Sequence, residues 1–213
     1  MRKIDKLPKP QILIDNETPW LIAFKADKSN ATKKYRYRHA DIKTTLRSET
    51  NDKCVYCESK VGHNTPGDIE HKIPSSKVED LHFSWENLTI ACTECNRRKN
   101  DYYEVGTEFL DPNIDYVEDF IEHHGPITTW KAGSQRAEVS IRILKLNSKE
   151  RLPLIINKIE KIEEVNNLVE RYESQQNSML KKLLEKQLLE LASKASEYSG
   201  MVLEMLVKKG IPV

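Results

Sequence analysis

The sequence predicts an α+β fold that is mainly helical: a compact strand, strand, helix core stapled by a four-cysteine zinc site, with a helix ahead of it and a helical hairpin behind it. Three observations predict it. The four cysteines fall in two pairs, Cys54-x-x-Cys57 and Cys92-x-x-Cys95, bracketing short apolar runs and turn residues. From Ile155 onward, apolar residues recur three and four apart. The chain has 213 residues, 38% hydrophobic and 31% charged, enough for one sizeable core and a second, smaller unit.

Residues 1–52 are an arm and a basic helix. Pro8 and Pro10 keep the start extended. Over Lys33 to Thr50, Tyr35, His39, Ile42 and Leu46 make one stripe, so the segment reads as a single amphipathic helix with Arg36, Lys43 and Arg47 off the stripe. Residues 53–105 form the cysteine-bracketed core, with turn signals at Gly62, Pro66-Gly67 and Pro74. A first strand is expected over Asp68–Ile73, a second through Trp85-Glu86-Asn87-Leu88, and a helix after Cys92.

Residues 106–150 connect. Phe120 to Trp130, around His124-Gly125-Pro126, suits a hairpin, and Ser134 is placed to cap a helix running to Asn147. In residues 151–213 one stripe (Ile155, Ile159, Ile162, Val165, Val169, Tyr172) and another (Leu180, Leu184, Leu188, Leu191, Ala195, Tyr198, Val202, Met205) flank a polar break, which indicates two antiparallel helices. Packing against the rest of the chain is the simplest use of those faces. Homodimerisation or docking of a partner is the other.

No window approaches the roughly eighteen uninterrupted apolar residues of a membrane span, and MRKIDKLPKP lacks the apolar run of a signal peptide. The chain is therefore read as cytoplasmic and free of membrane. Its net charge is only +1, unevenly placed. Lys25 to Arg47 carries eight Lys/Arg against two Asp, whereas Asp101 to His124 carries eight acids and no Lys or Arg. The first is a face that can meet phosphate, and either run also suits a solvated helix face.

Two CxxC knuckles with thirty-four residues between Cys57 and Cys92 let four thiolates close a tetrahedron on Zn²⁺, with redox chemistry as the alternative. Hydrolysis of a phosphodiester needs a base for the attacking water and positive charge at the phosphate. Neutral imidazole of His71 suits the base. Glu70 and Asn96 offer hard oxygens for Mg²⁺ or Mn²⁺. Neighbours on a strand point to opposite faces, so Glu70 and His71 share a site only if the strand ends or bends there. The amide of Asn87 can bond backbone across the loop between the strands and orient His71. Arg97, Arg98 and Lys99 follow on the helix, within reach of phosphate oxygens, and the alternating Tyr35-Arg36-Tyr37-Arg38 can stack on and clamp a nucleic-acid strand. Taken singly, His39, His63, His82, His123 and His124 read as packed or solvent-facing side chains. His63 is the alternative zinc ligand, disfavoured with four cysteines present.

The string CVYC, DIEHKIP, WENL, CTECNRRKND resembles the zinc-bound version of the HNH, or ββα-metal, nuclease motif, over about fifty residues. The resemblance implies a metal-dependent DNA endonuclease with His71 as general base, Glu70 and Asn96 on the catalytic metal and Asn87 as the structural Asn. Asn in place of His at the third motif position favours Mg²⁺ over Zn²⁺ at the catalytic site. Further strings, MRKI, KCVYCE, FLDP at Phe109 to Pro112 and IRILKLN at Ile141 to Asn147, are similar to HNH proteins of Septu-type and retron-associated anti-phage defence systems. That likeness implies an ATPase subunit as partner and an effector role in defence. The rival reading is a zinc-stapled binding or scaffold module that does not cut.

Overall fold

The computed structural model describes residues 1–62 and 67–212, so His63 and Pro66 lie outside the described residues. After an irregular first ten residues, α1 (Gln11–Ala26) starts behind Pro10. This helix has no counterpart in the sequence reading, since Pro19 sits inside it and its apolar residues make no clean stripe. It buries Leu13 and Phe24 and brings Trp20 and Phe24 edge-on to Phe83.

The helix expected over 33–50 is divided. Asn30 caps the short α2 (Ala31–Lys34), a 3-10 turn follows over Tyr35–Arg38, and His39 turns extended and caps α3 (Ala40–Glu49) through its ring nitrogen. The capping bond competes with helix continuation at His39. It leaves Tyr37 buried and Arg38 exposed.

In the core, β1 (Asp68–His71) pairs antiparallel with β2 (Leu88–Ala91), Glu70 opposite Thr89 and His71 opposite Leu88. The second strand starts later than expected, because Trp85–Asn87 is a 3-10 turn whose indole donates to the Leu7 carbonyl at 2.7 Å. Then α4 (Thr93–Lys99) opens at Cys92, whose sulfur accepts from the Cys95 amide. The strand, strand, helix order stands.

The hairpin forms as β3 (Ile121–His124) and β4 (Ile127–Trp130), and α5 (Gln135–Ile143) follows, shorter than expected. Ser134 makes no capping bond, and its buried hydroxyl has no partner among the described residues. The C-terminal part is three helices rather than two: α6 (Leu152–Ser174), α7 (Ser178–Leu191) and α8 (Ser199–Lys208). The second stripe breaks at 192–198 because that segment grips the first cysteine knuckle. Lys53 Nζ donates to the Ser196 carbonyl at 2.8 Å, the Lys60 amide to Glu197 at 2.6 Å, and the Ser199 hydroxyl to Glu58 at 3.0 Å. Tyr198 adopts the left-handed conformation to make that turn. One apolar core runs from Leu13 through Phe83, Trp85 and Ile90 to Leu188 and Leu206. No helix among the described residues is long and apolar enough to cross a membrane.

Candidate functional site

The sulfurs of Cys54, Cys57, Cys92 and Cys95 lie within 4.8 Å of one another, with Cys57 and Cys92 3.8 Å apart. Thiolates about 2.3 Å from a tetrahedral zinc stand about 3.8 Å from each other, so the donor set fits Zn²⁺. Hydrogen bonds from its three neighbours hold Cys57 well below the usual thiol range, while burial pushes Cys54 up. The outer contacts also suit a negatively charged cluster. Arg151, from the far side of the chain, places Nη1 3.4 Å from Cys95 Sγ. Burial works against the guanidinium charge, but Cys95 and Cys57 outweigh it and hold the proton more firmly than water does.

The first knuckle is tied to β2 through the Val55 amide and the Ile90 carbonyl at 2.9 Å, and the second opens α4. His71 ends β1. Its Nε2 lies 2.8 Å from the His82 carbonyl, which can only accept, so Nε2 carries the proton and Nδ1 is the free lone pair. Nδ1 has no hydrogen-bond partner among the described residues and is not one of the buried unpaired atoms. Burial pushes His71 down to about 4, against the pull of the His82 carbonyl, so the ring is neutral at physiological pH.

The loop that offers that carbonyl is pinned by Asn87. Its Oδ1 accepts from the Ile73 amide at 2.7 Å, and its Nδ2 donates to the carbonyls of Ile73 (2.9 Å) and Leu81 (3.1 Å). Around His71 the rings form a stack: His82 lies parallel at 5.0 Å, Phe24 covers the next position at 4.2 Å from His82, and Tyr37 stands edge-on to His71 at 4.6 Å.

Upstream of His71, β1 carries Asp68 and Glu70, two residues apart and so on one face. Glu70 is buried and its Oε1 lies 2.5 Å from Lys99 Nζ, which also donates to the His71 carbonyl at 2.8 Å. Burial raises Glu70 to about 6, and Lys99 opposes the shift. Asn96 meets Asp68 rather than Glu70, with Nδ2 3.5 Å from Oδ2. Asp68 is the oxygen donor that sequence reasoning missed, although strand alternation already put it on Glu70's face.

The basic residues divide. Lys99, expected at phosphate, is 1% exposed at its side chain and serves as the counterion of Glu70: three residues past Asn96 on α4, it faces the strand. Arg98, 8% exposed, is bound to Glu94 and Glu150. Arg97 remains 65% exposed, paired with Glu94 in water. Arg38 is exposed over the Tyr35 ring at 4.4 Å, and Arg36 is half-buried 5.9 Å from Trp20. The 35–38 turn thus rims His71 through Tyr37, with cations on its outer side.

Residues 54–102 match the family model described as HNH endonuclease. The chain is similar to the Septu protein PtuB of Bacillus thuringiensis, 27% identical over 136 residues that make up 62% of this chain and 52% of that protein. It is likewise similar to the Septu protein PtuB of Bacillus mycoides (strain KBAB4), 28% identical over 145 residues, 54% of this chain and 49% of that protein. The chain spans about half the length of the curated relatives it matches.

Proposed function

We propose that this chain, which carries an HNH endonuclease domain over residues 54–102, hydrolyses phosphodiester bonds in DNA with the help of a divalent metal, as the effector of a defence system that includes an ATPase. The observation that carries the reading is the polarity of His71: Nε2 is committed to the His82 carbonyl and Nδ1 is left as an acceptor on a neutral ring. A side chain arranged in this way accepts a proton from water and hands it on. Asn87 keeps the carbonyl in place by closing the loop from Ile73 to Leu81.

Asp68, Asn96 and Glu70 are hard oxygen donors that would hold Mg²⁺ or Mn²⁺, with Lys99 beside Glu70. When bound, such an ion supplies positive charge at the scissile phosphate and the departing oxygen. The four cysteines hold a structural zinc. Arg38, Arg36 and Arg97 are the cations placed to meet the phosphates on either side of the cut.

The defence role and the ATPase partner rest on the likeness to Septu proteins, together with the strings FLDP and IRILKLN outside the domain. The test is to incubate the purified chain with supercoiled plasmid, linear duplex, single-stranded DNA and RNA, with Mg²⁺, Mn²⁺ or chelator, alone and with the candidate ATPase. Metal-dependent nicking supports the proposal. Binding without cutting under every condition replaces it with a zinc-stapled binding module.

A further inference from the structure

The carbonyl of His82 serves the reaction proposed above but its ring does not, yet the residue is 2% exposed and both its ring nitrogens are committed. Nε2 lies 2.7 Å from the Lys34 carbonyl, so it donates, and Nδ1 accepts from the Ser75 hydroxyl at 2.5 Å. These bonds fix its tautomer and its rotation. One face lies against Phe24, tilted 16°, and the ring is within 11° of parallel to His71. Tyr37 and Phe83 close the edges at 5.3 and 4.5 Å.

The same residue therefore holds His71 twice, through its carbonyl on Nε2 and through the plane of its ring. Any residue could lend a carbonyl there, and a leucine could fill the space. A ring bonded at both nitrogens does more, because it fixes the plane against which His71 lies and so opposes the half-turn about Cβ–Cγ that would put Cε1 in place of Nε2 at the His82 carbonyl and free the proton to sit on either nitrogen. Its bond to Lys34 reaches the residue directly before the 35–38 turn, which carries Tyr37 and Arg38.

We propose that His82 is a positioning residue that locks His71 with its proton on Nε2 and ties that lock, through Lys34, to the basic 35–38 turn. This rests on His71 being the general base. A base displaced by a fraction of an ångström loses rate steeply, on the order of a hundredfold per ångström.

Two readouts on the zinc-loaded full chain test it: the tautomer of His71 by long-range ¹H–¹⁵N correlation, and steady-state cleavage. The parent should give the pattern of a ring protonated on Nε2. His82→Phe keeps the stack and removes both ring hydrogen bonds, so His71 should become a mixture of tautomers, with kcat about ten- to a hundredfold lower and KM within about twofold. Ser75→Ala, at a half-buried position, removes one bond and should move both readouts less, in the same direction. His82→Phe with a pure Nε2–H tautomer and parental kcat overturns the proposal, as does a raised KM with unchanged kcat, which would make His82 a substrate contact. Should His82→Phe lose zinc or cooperative melting, Ser75→Ala decides, and parental values in it overturn the proposal. If the parent cuts nothing, the base reading fails on its own, and the tautomer comparison still decides whether His82 holds His71.

Discussion

Lys99 and Glu70 form an ion pair at 2.5 Å with both side chains almost fully buried, and the same ammonium caps the His71 carbonyl. Removing one partner strands a charge in the interior. Lys99→Met should therefore destabilise the fold by about 3–5 kcal/mol, which at about 2–4 °C per kcal/mol lowers Tm by roughly 6–20 °C. Calorimetry measures it, and Lys99→Met combined with Glu70→Gln should recover part of the loss. A Tm within a degree of the parent would show that the pair holds nothing in place.

The catalytic metal is checked by titration. Asp68→Ala and Glu70→Ala should each raise the Mg²⁺ or Mn²⁺ concentration for half-maximal cutting with zinc content unchanged. Asn96→Ala should do so more mildly, since an amide oxygen holds a hard cation less tightly than a carboxylate. A variant that cuts normally at the parental metal concentration removes that residue from the site.

For His71→Ala, zinc content, melting and DNA affinity should stay near parental while cleavage falls by roughly two to four orders of magnitude. The pH profile adds a sharper demand. Burial holds the folded ring near 4, so the base's own protonation should cost cleavage as pH drops through about 4 rather than through the ordinary 6.5, below the fall near 6 that Glu70 brings by taking up its proton and that extra metal should oppose. Cleavage at the parental rate in His71→Ala would dismiss the mechanism.

Zinc should be stoichiometric in the folded chain by elemental analysis. Cys54→Ser and Cys95→Ser should lose it together with soluble yield, because a structural zinc site folds with its metal. Arg151→Met should keep zinc but weaken it by about ten- to a hundredfold in a chelator competition, the usual effect of removing an outer partner. Folded protein free of zinc would rule out the structural site.

Acid should weaken the fold above the ordinary carboxylate range, although Glu70, raised to about 6, works the other way. Burial keeps His123 neutral down to about 3, so below about 6.5 the unfolded chain takes up a proton that the folded chain refuses. Stability is thus lost progressively from about pH 6.5 to 3, and His71 and His82 add in the same direction. Urea melts at pH 7 and 5 should show the fall, and His123→Phe should show less of it. Equal midpoints at the two pH values in the parent would contradict the burial argument.

Local spacing carried much of the site. Two CxxC pairs dictate a tetrad wherever the chain brings them together, and alternation along Asp68-Ile69-Glu70 puts the two carboxylates on one face, while His71 comes at the end of the strand, the condition under which it can share their site. The same logic could have found Asp68, and counting three residues from Asn96 could have turned Lys99 inward. His82 left no such trace. Its pairing with His71 depends on the loop closed by Asn87 and on the reach of α1 and Lys34, contacts between residues far apart in the chain. The break at 192–198 was hidden for the same reason: the helical stripe continues through it, and the hydrogen bonds to Lys53, Glu58 and Lys60 that win over it come from the opposite end of the sequence.

Phe24, Lys34 and Tyr37 come from before the segment that carries the motif, and Arg151 and Ser199 from after it. The motif is consequently not a cassette. Transplanted alone into another scaffold, residues 54–102 would bring the thiols, the imidazoles and the amides but leave behind the Lys34 carbonyl and the Phe24 ring that hold His82, and the cation that steadies the thiolates. Any change in those distant segments acts on the cut without touching it, so the flanks are where evolution, or an engineer, can retune such an enzyme while its signature stays the same.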